Sequence, residues 1–170
     1  MRKPAFLAAI AVLISAPAIA DSHEEQSEAP EQSEAEAQAE RAYHNAQQAH
    51  LAGLFASDGW YTMEGGLRWR YVDYRGTGES PTASDTVTVN YEGSFIDGEV
   101  FDSSFARGTP ATFGLSGLIP AWEMAIPQMR VGETIELAAP AGLAYGPRGR
   151  GPIPGGATLL FRVELISIEE

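Results

Sequence analysis

The sequence predicts an α+β domain: five to six antiparallel strands covered by one short helix, with a helical extension in front. Three observations predict it. Apolar β-branched and aromatic residues alternate with polar ones at Leu67–Tyr74, Thr86–Tyr91, Glu133–Ala138 and Ala157–Ile168; a period of two is the mark of half-buried strands. Asp97-Gly98 stands between Phe95-Ile96 and Glu99-Val100-Phe101 and supplies the positive φ of a two-residue hairpin turn. Ile119, Trp122 and Ile126 are spaced for one face of a helix of about two turns, opened by Pro120 and closed by Pro127. An amphipathic sheet face must be covered, and within the domain that helix is the available cover.

In chain order, Arg2 and Lys3 precede an apolar run from Phe6 to Ile14 and the small-x-small triplet Ala18-Ile19-Ala20. This is the layout of a secretory signal peptide over residues 1–20, cut before Asp21. No Cys follows the cut, which argues against a lipid anchor, and no later run is long and apolar enough for a membrane span. Export to a bacterial periplasm is the expectation. Asp21 to Glu40 holds eight acidic residues and no basic one, so residues 21–32 are expected to be a disordered acidic segment. Ser33-Glu34-Ala35-Glu36 reads as a capping box, each side chain serving a free backbone N–H. A helical extension over 33–58 follows, with Tyr43, Ala46, His50 and Leu54 on one face and Asp58-Gly59 as its stop. A solvated tether, a helix packed on the domain and pairing with a second copy all stay open. The thin Ala and His seam favours a monomer.

The domain itself is expected over residues 60–170. Glu64-Gly65-Gly66 turns into the first strand, and Arg75–Pro81 is a loop whose Gly76-Thr77-Gly78 lacks the strand–helix context of a phosphate cradle. Phe105–Pro110 reads as a loop carrying Arg107, and Thr112-Phe113 as a short strand. Beyond the helix, Val131-Gly132 turns into the next strand. A loop dense in Gly and Pro runs from Pro140 to Gly156 before the last strand, where Leu159, Phe161, Val163 and Leu165 face one way and Arg162 and Glu164 the other.

Composition narrows the function. The chain has 170 residues and a net charge of −12, with Lys3 its single lysine; such acidity repels phosphate backbones and excludes nucleic acid as a partner. With no Cys there is neither a disulfide nor a zinc–thiolate site. His44 and His50 lie six apart, not at the i, i+4 spacing of a helical metal pair, so no metal and no cofactor is expected. His23, His44 and His50 all precede the domain, which leaves Ser103-Ser104 without a base for hydrolysis.

Five blocks then occur in one order: Tyr91-Glu92-Gly93; Asp97-Gly98-Glu99-Val100-Phe101-Asp102-Ser103-Ser104; Leu118-Ile119-Pro120-Ala121-Trp122; Leu143-Ala144-Tyr145-Gly146; and Ala157-Thr158-Leu159-Leu160-Phe161. Over roughly residues 66 to 170 this pattern resembles the FKBP-type peptidyl-prolyl cis-trans isomerases. The resemblance implies a half-barrel-like sheet wrapped on the short helix, with a pocket between them. It carries a substrate pocket over to Tyr91, Phe101, Asp102, Arg107, Phe113, Leu118, Ile119, Trp122, Tyr145, Ile153 and Phe161. Trp122 would form the floor under the proline ring and the other aromatic rings the walls. The Ile119 N–H and the Tyr145 hydroxyl would receive ligand carbonyls, and Asp102, Tyr145, Trp122 and Phe101 would carry catalysis. An Asp102–Arg107 pair is expected.

The chain departs from the family's pattern in four places. Ala111 replaces a frequent wall Phe, Arg150 lies near where some members have His, the loop between Tyr145 and Ile153 is one residue shorter than in the small cytosolic members, and Gly155-Gly156 replaces a usual Pro-x pair, which should loosen the end of that loop. The implied activity is isomerisation of X-Pro bonds in unfolded or nascent exported polypeptides, with macrolides of the rapamycin type as inhibitors. The alternative is a proline-peptide binding module or holdase with little catalysis.

Overall fold

The structure is a computed structural model and describes residues 28–169. The expected signal peptide (1–20) and residues 21–27 of the expected acidic segment lie outside the described residues. The described residues fall into two units that divide after Ala37. Helix α1, Glu28–Ala52, supplies the described part of the first and opens the second. It begins ahead of the capping box, so residues 28–32 are helical where disorder was expected, and Ser33 lies inside the helix. Glu, Ala and Gln are strong helix formers. Pro30 falls in the first turn, where an N–H has no helical partner to lose. The helix also ends earlier than Asp58; a separate 3-10 turn spans Ala56–Asp58 and closes on Gly59 at φ +83°.

Within the second unit, α1 packs on the domain. Gln47 and Leu51 are buried, Tyr43 and His50 half-buried, and Ala46, expected on this face, is exposed. Gln47 makes the key contact: its Oε1 accepts a hydrogen bond from the Thr158 N–H at 2.8 Å. Beside it, His44 sits so close to Gly156 that a Cβ there would lie 2.7 Å from the His44 Cε1.

One antiparallel sheet holds β1 (Tyr61–Thr62), β2 (Arg68–Asp73), β3 (Thr86–Ser94), β4 (Val100–Ser103), β5 (Ala111–Gly114), β6 (Thr134–Ala139) and β7 (Leu159–Glu169), seven strands where five to six were expected. The addition is β1, too short to register as an alternation. The order is β1-β2-β6-β7-β3-β4, with β5 also pairing β3. β3 is the spine. It pairs with β7 along its full length, and its other edge is shared by β5 at Thr86–Val89 and β4 at Glu92–Ser94.

The Asp97-Gly98 turn is a three-residue loop, not a two-residue one. Gly98 donates to the Phe95 carbonyl at 3.0 Å and Phe95 to the Glu99 carbonyl at 2.9 Å. Gly98 takes φ +91°, and the Asp97 carboxylate accepts from the Glu99 N–H at 3.0 Å. This is a turn closed by a left-handed residue, which needs Gly only at its last position. The expected loop after Ser104 begins as a single helical turn, α2 (Ser104–Arg107), because the Ser103 hydroxyl caps it by accepting from the Ala106 N–H.

Inward-facing Val87, Val89 and Tyr91 of β3 and Leu159, Phe161, Val163 and Leu165 of β7 are buried. Helix α3 (Pro120–Ala125) lays Ala121, Trp122 and Ala125 into the same core. Pro127 falls in the 3-10 turn that follows, Ile126–Gln128. The long loop before β7 is tightly drawn rather than loosened by its glycines. A Cβ on Gly155 would lie 2.1 Å from the Pro147 carbonyl oxygen, and one on Gly149 2.1 Å from that of Ile153. These glycines permit two backbone segments to touch.

Candidate active site

Between the inner face of the sheet, the start of α3 and the long loop lies a cleft of about 450 Å³. Tyr91 on β3, Phe101 and Asp102 on β4, Phe113 on β5 and Phe161 on β7 line one side; Leu118, Ile119, Trp122 and Tyr145 complete it. Trp122 is 4% exposed. Three rings meet it edge-on: Tyr91 at 5.3 Å between centroids, Phe161 at 5.5 Å and Phe113 at 6.1 Å, with interplanar angles of 82°, 84° and 77°. Phe101 stands perpendicular to Phe161 at 5.9 Å. Edge-to-face pairs add about 0.5–1.5 kcal/mol each beyond burial. The indole Nε1 is buried and finds no acceptor among the described residues, so packing alone holds the ring.

Each residue of the motif Phe101-Asp102-Ser103-Ser104 has its own part in the cleft. Phe101 is a wall and Ser103 the cap of α2. The buried Ser104 hydroxyl accepts from the Tyr91 N–H at 2.8 Å and ties the start of α2 to β3. Asp102 accepts a hydrogen bond from the Tyr91 hydroxyl and another from Arg107. Arg107 Nη2 also donates to the Tyr91 hydroxyl at 3.0 Å, closing a triangle, and its Cζ stands 5.5 Å from the Tyr91 ring centroid.

Burial by itself would raise the Asp102 carboxyl, but the bonds from Tyr91 and Arg107 outweigh it and hold the group below the ordinary carboxylate range. Burial and the Asp102 acceptor together push the Tyr91 hydroxyl up. At neutral pH the triangle is therefore carboxylate, phenol and guanidinium. Ile119 precedes α3 in extended conformation, and its carbonyl accepts from the Trp122 N–H at 2.9 Å and from the Glu123 N–H at 3.2 Å. Those bonds fix the Ile119–Pro120 peptide, the unit that follows the expected donor.

Two of the expected residues do not line the cleft. Arg107 stands behind Asp102 and acts on it. Ile153 is buried in the core, and its backbone pairs with Arg150; it anchors the loop from beneath, so a position matched along a loop of altered length points elsewhere. Gly117, Pro120, Ala144 and Arg150 line the cleft without having been expected there. Pro120 and Ala144 lie inside motif blocks, and Arg150 is one of the chain's departures from the family's pattern. Ala111 is half-buried outside the lining. Among the described residues no group of three or more His, Cys, Asp or Glu is placed to hold a metal, and no helix is long and apolar enough to cross a membrane.

Comparison with known proteins gives a consistent result. The profile of the FKBP-type peptidyl-prolyl cis-trans isomerases matches residues 77–166. An outer membrane protein MIP of Legionella longbeachae is 46% identical over 123 residues, 72% of this chain and 52% of that protein. The FKBP-type isomerase FkpA of Aeromonas hydrophila is 44% identical over 121 residues, 71% of this chain and 45% of its own length. The chain thus spans about half the length of the curated relatives it matches. Among solved structures, a peptidyl-prolyl cis-trans isomerase of Pseudomonas syringae superposes with a TM-score of 0.70 at 32% identity, covering 76% of this chain and 96% of that one. FkpA of Escherichia coli superposes with 0.69 at 38% identity, covering 84% and 68%.

Proposed function

The chain belongs to the FKBP-type peptidyl-prolyl cis-trans isomerase family, and from that premise we propose that its cleft accelerates rotation about X-Pro bonds in polypeptide chains. The observation that carries this reading is Trp122, a buried indole at the base of an aromatic cleft, boxed edge-on by three rings. Rotation interrupts amide resonance, at a barrier of ~18–20 kcal/mol, and uncatalysed X-Pro bonds turn over slowly enough to limit folding. No covalent bond forms or breaks. The protein has only to bind the twisted linkage better than the planar one.

The planar amide is the more charge-separated form and is stabilised by water. Rings from Tyr91, Phe101, Phe113, Trp122 and Phe161 replace that water with apolar surface, which favours the twisted form. The Ile119 N–H and the Tyr145 hydroxyl are the donors for substrate carbonyls, and a donor that meets the carbonyl in its rotated position selects the transition state. Asp102, held by Tyr91 and Arg107, fixes the wall that the rotating group passes.

The chain's substrates on this reading are unfolded or nascent polypeptides carrying X-Pro bonds, in the periplasm once residues 1–20 are removed. Rapamycin-type macrolides would occupy the same cleft. A protease-coupled assay on a prolyl tetrapeptide tests the proposal. Acceleration by the pure protein, abolished by the macrolide, is expected. Prolyl peptides that bind without acceleration would replace it with a holdase reading.

A further inference from the structure

Two charged side chains line the cleft, and they differ in kind. Asp102 is neutralised within its triangle by Arg107. Arg150 forms no ion pair among the described residues. Its loop, from Pro140 to Thr158, contains Arg148 and Arg150 and no acidic residue, in a chain whose net charge is −12. The cleft therefore presents one uncompensated positive charge at its rim.

The backbone that carries this charge is held in place. The Arg150 N–H donates to the Ile153 carbonyl at 2.9 Å and the Ile153 N–H returns to the Arg150 carbonyl at 3.0 Å. Ile153 is buried in the core below. Gly149 and Gly155 press the two arms of the loop together, and Gly156 donates to the Gly146 carbonyl at 3.0 Å, closing its base. Tyr145, the expected carbonyl donor, belongs to the same drawn-in loop and faces the same cleft. Because Trp122, Tyr145 and Arg150 line one cleft, Arg150 is the charge available to a residue flanking a proline bound over the indole.

We propose that Arg150 is a specificity-determining residue that favours prolyl bonds flanked by a carboxylate side chain, Glu or Asp next to the proline. This rests on the isomerase reading given above. A guanidinium is always charged and matches a carboxylate with two parallel donors. At an exposed rim such a pair is modest and screened by salt.

The test measures cis–trans exchange by NMR, without a coupling protease, on uncharged-end tetrapeptides with Glu, Gln or Lys before proline and a second set with the same residues after it. In the wild-type protein kcat/KM for Glu should exceed that for Gln by about two- to fivefold at low salt, the size of an exposed ion pair, with Lys below both. The flank that shows the ratio identifies the neighbour that Arg150 reads. The ratio should fall to one in Arg150→Gln, invert in Arg150→Glu, persist in Arg150→Lys, and shrink as salt is raised. Because each ratio is taken within one variant, partial loss of folded protein cancels. A wild-type ratio of one on both flanks, or a ratio unchanged in Arg150→Gln, overturns the proposal while the isomerase reading stands. Absence of exchange catalysis on every peptide overturns both.

Discussion

Gly93 offers the sharpest test of how the cleft is built. It lies on β3 with its α-carbon facing the core, directly under two walls of the cleft. A Cβ added there would stand 2.6 and 2.8 Å from the Cζ and Cε2 of Phe101 and 3.1 Å from the Cε1 of Phe161, against 3.4 Å where ordinary contact begins. In Gly93→Ala the Phe101 ring must recede by about 0.8 Å, and it leans on Phe95 at 5.1 Å and Phe161 at 5.9 Å. Overpacking of this order costs about 1–3 kcal/mol. Exchanging Gly for Ala inside a strand returns about 0.5–1 kcal/mol. The net loss is about 0–2.5 kcal/mol, a fall in Tm of up to roughly 10 °C. A domain with ordinary reserves stays folded, so any loss of catalysis is local. Displacing a wall by this distance should lower kcat/KM by about 10- to 100-fold. Calorimetry gives the first quantity and the isomerase assay the second. A variant with wild-type Tm and wild-type kcat/KM would refute the packing argument, since the two rings would then have had room to spare.

Other consequences can be measured in parallel. Trp122→Ala removes the floor and should lower stability by about 3–5 kcal/mol in urea titration, with activity falling in the variant fraction that remains folded. Asp102→Ala should also weaken turnover, and wild-type rates in both would discredit the cleft as the site. Asp73 is bonded to Arg75 by the side chain and the backbone N–H, which lowers its carboxyl from 3.8 to about 2. The bonding stabilises the fold above the unfolded-state pKa and is lost as pH falls through about 2. A carbon-13 carboxyl titration should show that midpoint in the wild type and a higher one, still below 3.8, in Arg75→Gln, which keeps the backbone N–H; a wild-type midpoint near 3.8 would rule the arrangement out. Gln47→Ala leaves the buried Thr158 N–H without its acceptor, at about 1–3 kcal/mol. Faster hydrogen exchange at Thr158 is expected, and unchanged protection would mean that α1 is not held there.

Where a pattern repeats along the chain, the sequence was readable. Alternation located the long strands, the two prolines bracketed α3, and the motif blocks assembled a cleft whose floor and walls come from four strands and a helix. What escaped did so for physical reasons. β1 is two residues long and has no period. The face of α1 turns on Gln47, whose burial is made possible by one backbone N–H far away in the chain, a partner no local count can reveal. Ile153 lies in the core and Arg150 lines the cleft, a placement set by the loop's own hydrogen bonds, which residue counting along the loop does not reveal. A pair of glycines reads as slack in a sequence, yet the missing Cβ of Gly155 is what lets Pro147 approach.

Helix α1 is fastened at Thr158 and leans on Gly156, the very foot of the segment that carries Tyr145 and Arg150 over the cleft. It works as a strut: remove it, and every lining residue remains while the rim loses its footing. Kinetic constants taken from a trimmed domain starting after Ala52 would therefore describe a slacker mouth than the full chain presents. Tension or shelter applied to the extension would reach catalysis without touching a single aromatic ring.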